Sequence, residues 1–207
     1  KAILAFTKMR SEINNSREDP DWKTTAITLM EENIFISYLH NQDEQGANKS
    51  LQQIVQFKRT ELNSYLTSGA SREQLLTIKN THDIYLQELR IWKDIIFGSS
   101  NLAPQLARLK SLLEKNLTQD PTALTLYYKL SGYAALMSGN NKAAIDYYSS
   151  VSNIEMDDDL YHSYFYALAF RGNGDINKST QIMKRVANNT FATRGAALVQ
   201  QLAKRQL

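Results

Sequence analysis

Cysteine is absent from the 207 residues, proline occurs 3 times and glycine 8 times. Without Cys the chain can build no disulfide scaffold, thiolate zinc site or cysteine nucleophile. With so little Gly and Pro it is neither collagen-like nor a Pro-rich disordered segment. No stretch approaches the ~18 uninterrupted apolar residues of a membrane span, and the opening Lys1-Ala2-Ile3-Leu4-Ala5-Phe6 is too short for a signal-peptide core. A chain that opens on Lys rather than Met is expected to be a processed or trimmed fragment. Compartment stays open between cytoplasm and periplasm.

Catalytic chemistry is equally scarce. The 3 His are His40, His82 and His162, too few for a His-rich metal cage. The paired Glu-x-x-His of di-iron bundles is missing, because Ser37 and Lys79 precede His40 and His82 at that spacing. Asp159-x-x-His162 is the nearest approach to a ligand pair, but one Asp and one His fall short of the four ligands, or three plus water, of a zinc site. The acids Asp157, Asp158 and Asp159 are expected instead to favour the dipole at a helix start. Glu31-Glu32 are adjacent on a helix and so point about 100° apart, which does not place an acid and a base across one substrate. No nucleophile elbow, P-loop or dinucleotide fingerprint occurs. The expectation is a protein without catalysis, cofactor or metal. Five N-x-S/T sequons carry little weight in a chain so rich in Asn.

The 24 Lys and Arg against 21 Asp and Glu give a net charge of +3, too balanced to point to nucleic acid. Distribution says more. Residues 1–100 hold 12 cations against 13 acids, whereas 101–207 hold 12 against 8, and from Asn177 to Leu207 there are six cations (Lys178, Lys184, Arg185, Arg194, Lys204, Arg205) and no acid. Such a terminus either faces an anionic partner or lipid head group, or is a solvated hairpin with cations near helix C-termini.

Apolar residues recur at three- and four-residue steps almost throughout, and no run alternates with the two-residue period of a half-buried strand. Leu51, Ile54, Val55, Leu62, Tyr65 and Leu66 mark one helix face, with the Lys58 stem filling the stripe. A longer face through Leu75, Leu76, Ile84, Leu86, Leu89, Trp92, Ile95 and Ile96 predicts about seven turns, a helix that needs partners along its length. Asp19-Pro20 and Asp120-Pro121 each place a capping Asp before a Pro suited to the first helical position. Ser71 with Gln74 has capping-box spacing. Gly46, Gly69, Gly98, Gly139 and Gly174 mark breaks. The pattern predicts ten helices, near 3–17, 21–40, 47–67, 72–97, 102–117, 121–138, 141–153, 158–171, 175–188 and 191–205, joined as antiparallel hairpins.

The last 90 residues align with themselves at an offset of 35. Gly132 falls on Ala167, Gly139 on Gly174, Ala144 on Ser179, Tyr148 on Met183 and Val151 on Val186, small on small and large on large; only Tyr128 on Ser163 breaks the rule. With Tyr128, Gly132, Gly139-Asn140, Ala144-Ile145, Tyr148 and Val151, and more weakly with Ala167, Phe170, Gly174-Asp175, Ser179, Met183 and Val186, the segment over about residues 122–190 resembles the tetratricopeptide repeat. The spacing is one residue longer than usual, and the extra residue is placed in the acidic loop at 157–159. Leu109, Leu113 and Asp120-Pro121 look like the tail of an earlier, degenerate repeat.

The resemblance implies an all-α fold, a right-handed superhelix of antiparallel helical hairpins (a TPR-like α-solenoid). Residues 1–100 would form hairpins without the motif, and 101–207 the TPR-like repeats with a C-terminal capping helix. It implies a non-catalytic scaffold or adaptor that binds a protein or peptide in the concave groove. That groove would display Leu126, Lys129, Tyr133, Leu136 and Met137, then Tyr161, Tyr164, Leu168 and Arg171; the partner-binding residues are expected to be Lys129, Tyr133, Tyr161, Tyr164 and Arg171. The family's carboxylate clamp would want Asn where Tyr133 and Phe165 stand, so that mode is not implied. Eight of the 11 Tyr lie between Tyr127 and Tyr166, and two readings stand side by side: core packing by Tyr127, Tyr128, Tyr147, Tyr148 and Tyr166, or a partner surface of Tyr133, Tyr161 and Tyr164. The alternative function is a ligand-sensing or regulatory domain of a larger signalling or transcription-regulating protein. Self-association stays open.

Overall fold

The computed structural model describes residues 1–117, 120–190 and 194–207, and every regular element among them is a helix: eleven helices and no strand. The chain divides into two compact units, Lys1–Gln105 and Leu106–Leu207.

In the first unit α1 (Ala2–Asn15) packs on α2 (Pro20–His40), α2 on α3 (Glu44–Thr67), and α3 on α4 (Arg72–Phe97). Pro20 does open α2, and the Asp19 carboxylate accepts the Trp22 N–H at 3.1 Å. The capping box at α4 is complete: Ser71 Oγ accepts from the Gln74 N–H at 3.2 Å and the Gln74 side chain from the Ser71 N–H at 2.8 Å. Gly46 is not the expected break. It lies inside the first turn of α3, whose cap is Asp43, at a spot where a Cβ would come within 2.3 Å of the Tyr38 ring. The core is built from Phe35, Leu39, Ala47, Leu51, Ile54, Leu86 and Leu89. Beside it the buried Glu31 carboxylate pairs with Arg10 and accepts from Ser50, which pins α1, α2 and α3 together; Glu32 turns the other way to accept the Tyr85 hydroxyl at 3.0 Å. Lys58 lies over the Tyr85 ring and bonds Glu61 at 2.8 Å. α4 has α3 as its partner, but the far part of this hairpin is thinly covered: no residue from 55 to 81 is buried, and Leu76 is 58% exposed.

The second unit holds most of α5 (Leu102–Glu114), then α6 (Thr125–Met137), α7 (Asn141–Ser149), α8 (Asn153–Asp158), α9 (Leu160–Gly172), α10 (Ile176–Asn188) and α11 (Arg194–Gln206). Pro121 does not open a helix as Pro20 does. The Asp120 carboxylate accepts both the N–H and the hydroxyl of Thr122, at 2.8 and 2.7 Å, and this local turn delays α6 to Thr125. The short α8 was not expected; it is capped by Ser152, which accepts from the Glu155 N–H at 3.3 Å. Asp157 and Asp158 therefore end a helix, and only Asp159 caps one, α9. The expected start of the last helix at 191 lies outside the described residues.

The offset of 35 residues reappears in backbone and burial. Gly139 and Gly174 are both left-handed (φ 80 and 88), and the next residues, Asn140 and Asp175, each accept from the N–H three positions on, at 3.1 and 2.9 Å. The pairs Ala144 and Ser179, Tyr148 and Met183, and Val151 and Val186 are all buried. Helix α6 packs on α7, and α9 on α10, with α7 and α6 both reaching α9, and α11 packing on α9 and α10.

Candidate functional site

Helix α6 carries Lys129 and Tyr133 one turn apart, so both face the same neighbour. That neighbour is the start of α9. The Asp159 carboxylate accepts the His162 N–H at 3.1 Å, which caps the helix, and its second oxygen meets Lys129 Nζ at 3.0 Å. One turn along, the hydroxyls of Tyr133 and Tyr161 are hydrogen-bonded to each other. Phe165 closes the layer, its ring 4.4 Å from that of Tyr133 and 4.9 Å from that of Tyr161, centroid to centroid. Behind them lies Tyr148 of α7, wholly buried, 6.0 Å from the His162 ring. Its hydroxyl has no hydrogen-bond partner among the described residues.

Burial governs the charge states here. It pushes the Tyr133 hydroxyl up to about 12, against a small opposing pull from its hydrogen bond with Tyr161. Tyr161 and Tyr148 are pushed up as well, first by burial and then by neighbouring acids and phenols. His162 is driven down to about 4 by desolvation, with Asp159 opposing and Lys129 adding, so its imidazole is neutral at pH 7. Burial alone would raise the Asp159 carboxyl, but His162 and Lys129 beside it outweigh that and hold it below the usual range. The cluster thus contains one ion pair, a neutral imidazole and three neutral phenols. Asp159 is already spent on Lys129 and the helix cap, and no group of three or more His, Cys, Asp and Glu able to hold a metal occurs among the described residues.

The five residues expected to bind a partner fall into two groups. Lys129, Tyr133 and Tyr161 come together between α6 and α9, with Tyr133 only 5% exposed and Tyr161 half-buried. Tyr164 and Arg171 lie on the side of α9 that meets α11. Tyr164, 6% exposed, packs in the cluster of Ala167, Met183, Val199 and Ala203, and Arg171 donates to the Gln206 side chain and, at 2.7 Å, to its backbone carbonyl. Of the Tyr assigned to packing, Tyr148 is fully buried, while Tyr127, Tyr128, Tyr147 and Tyr166 are half-buried. Asp159, His162, Phe165 and Tyr148 join the site without having been singled out for it. The Asp-x-x-His spacing was a usable signal for the first two, read as a cap with its first N–H donor. The α6–α9 stripe continues outward through half-buried Leu126, Leu136 and Leu168 to Met137, which is 53% exposed.

No family model matches the chain, and no curated protein and no solved structure matches it.

Proposed function

We propose that Leu106–Leu207 is a non-catalytic protein-interaction module, a right-handed superhelical stack of TPR-like hairpins. It takes a peptide or partner helix along the α6–α9 face. The observation that carries this reading is the 35-residue offset, which holds in left-handed glycines, in helix caps and in burial at once; three independent physical features coinciding at one period support a repeated hairpin. A repeated hairpin exposes the first helix of each copy on one side. Here those helices are α6 and α9.

In this reading Lys129, Tyr133 and Tyr161 are a stiff floor. The Asp159 ion pair and the phenol pair fix their rotamers before a partner arrives, so little side-chain freedom is lost on binding. Leu136, Met137, Tyr161 and Leu168 supply the apolar contact. Tyr164 and Arg171 act through α11, as the anchors that hold that helix in place.

The test is site-specific photocrosslinking in the native host. A photoreactive residue at Met137 should yield a discrete protein adduct that is absent when the same residue is placed at the exposed Lys142 on α7. Adding Tyr161→Ala should abolish the adduct in a protein that melts lower but stays helical and folded at the assay temperature. Adducts of equal intensity from both positions, or none from Met137, would overturn the assignment of this face.

A further inference from the structure

We propose that the end of the second unit formed by the opening of α10 and the last turns of α11 docks on an anionic lipid bilayer. This is independent of partner binding on the α6–α9 face. The hydrogen bonds from Arg171 at the end of α9 to Gln206 bring the last turn of α11 to the same end of the bundle as the α9–α10 turn. Three large apolar side chains stand out there: Ile176 at 52% exposure, Leu202 at 42% and Leu207 at 56%. Lys178, Lys204 and Arg205 are interspersed among them, all exposed and none in an ion pair among the described residues.

The chemistry of the patch selects its occupant. From Ile176 onward the sequence contains no acidic side chain, and Asp175, the acidic residue just before it, is occupied as the α10 cap by the Lys178 N–H at 2.9 Å. Of the other cations in this segment, Lys184 stands exposed farther along α10, Arg185 pairs with Asp157, and the Arg194 side chain lies outside the described residues. An anionic partner therefore meets uncompensated positive charge. The apolar side chains are spread over separate turns and two helices, not aligned at the three- or four-residue steps that would seat a partner helix. The boundary between head groups and acyl chains accepts dispersed apolar anchors, while Lys and Arg stems reach up to phosphate. No helix of the described residues is long and apolar enough to cross a membrane, so the contact is peripheral.

The experiment is co-sedimentation of the whole chain with vesicles of phosphatidylcholine alone and of phosphatidylcholine mixed with phosphatidylglycerol. Binding is expected only to the mixed vesicles and should weaken as salt is added. Near an anionic surface each Lys or Arg contributes about fivefold in partitioning, so the triple variant Lys178→Gln, Lys204→Gln, Arg205→Gln should lose roughly a hundredfold. A control with the same charge change, Lys49→Gln, Lys115→Gln, Lys142→Gln, should bind nearly as the parent does. Leu202→Ser with Leu207→Ser should reduce binding that survives high salt. Equal losses in both triple variants would reduce the effect to net charge and overturn the site. So would absence of vesicle binding, including the case where an acidic peptide is bound instead.

Discussion

Gly132 on α6 lies against the face of Tyr148 on α7: a Cβ added there would sit 3.0 Å from three atoms of the ring. The ring is wholly enclosed and cannot swing away. Gly132→Leu should therefore destabilise the second unit by about 1–3 kcal/mol through overpacking, and Ala144→Leu, also at a fully buried position, by a similar amount. Gly132→Ala sets the clash against the ~1 kcal/mol that Ala gains over Gly within a helix, so it should cost less than Leu. Thermal unfolding followed by circular dichroism checks the order. A Leu variant with parental stability would mean that α6 and α7 do not cross here.

The Arg10–Glu31 pair in the first unit calls for a different experiment. Glu31 is almost fully enclosed, whereas Arg10 is partly exposed. Removing one partner of such a pair leaves a buried charge without its counter-ion, at a cost of about 3–5 kcal/mol when both are buried and less where one reaches water. Arg10→Met and Glu31→Met should each destabilise clearly, and the double variant should cost less than the two added together. Urea unfolding of the four proteins gives the coupling. Strict additivity would show that the contact does not pin α1 to α2.

The contrast between two Asp-Pro pairs explains how far the sequence could be read. At Asp19-Pro20 the carboxylate reaches the N–H three residues on and the helix starts at once; at Asp120-Pro121 the neighbouring Thr122 offers an N–H and a hydroxyl, and a turn intervenes. Helix positions, the Ser71–Gln74 box and the all-α class depend on neighbours within a few residues, and local patterns carry them. Tyr133 against Phe165, or Lys129 against Asp159, joins residues about thirty positions apart, and periodicity contains no statement about which stripe meets which. Tyr164 illustrates the consequence. Its place on α9 is readable from the sequence, but whether it faces a groove or α11 depends on where α11 lies.

The far part of the α3–α4 hairpin should behave as a separate, weakly protected segment. No residue from 55 to 81 is buried, so its backbone hydrogen bonds are secured by few apolar contacts. Amide hydrogen exchange should be faster over residues 62–80 than over 86–95, and Ser71→Ala, which removes the capping box, should raise it further. Leu76→Ser should shift global stability by no more than about 0.5 kcal/mol, against about 2–5 kcal/mol for Ile54→Ala in the core. Strong protection at the hairpin tip would contradict this.

Acid should weaken the second unit through His162. The imidazole has its ordinary value near 6.5 in the unfolded chain and about 4 in the fold. Between those two values the unfolded state binds more protons, so stability rises with pH across the window. It is complete above about 6.5 and is lost as pH falls toward 4, by about 3 kcal/mol in all. Asp159, held low beside Lys129, adds a loss of the same sign at more acidic pH. In the first unit His40 and His82 are also pushed down by burial, and a whole-chain profile therefore mixes the two units. His162→Phe separates them, since it keeps a ring beside Tyr148 and Tyr161 and removes the titration. The His162 imidazole signal followed by NMR should show a midpoint near 4, and calorimetric melting temperatures between pH 7 and 4.5 should fall less steeply in His162→Phe than in the parent. A midpoint near 6.5, or parallel profiles for the two proteins, would show that the imidazole is hydrated in the native fold and that the α6–α9 cluster is more open than its burial indicates.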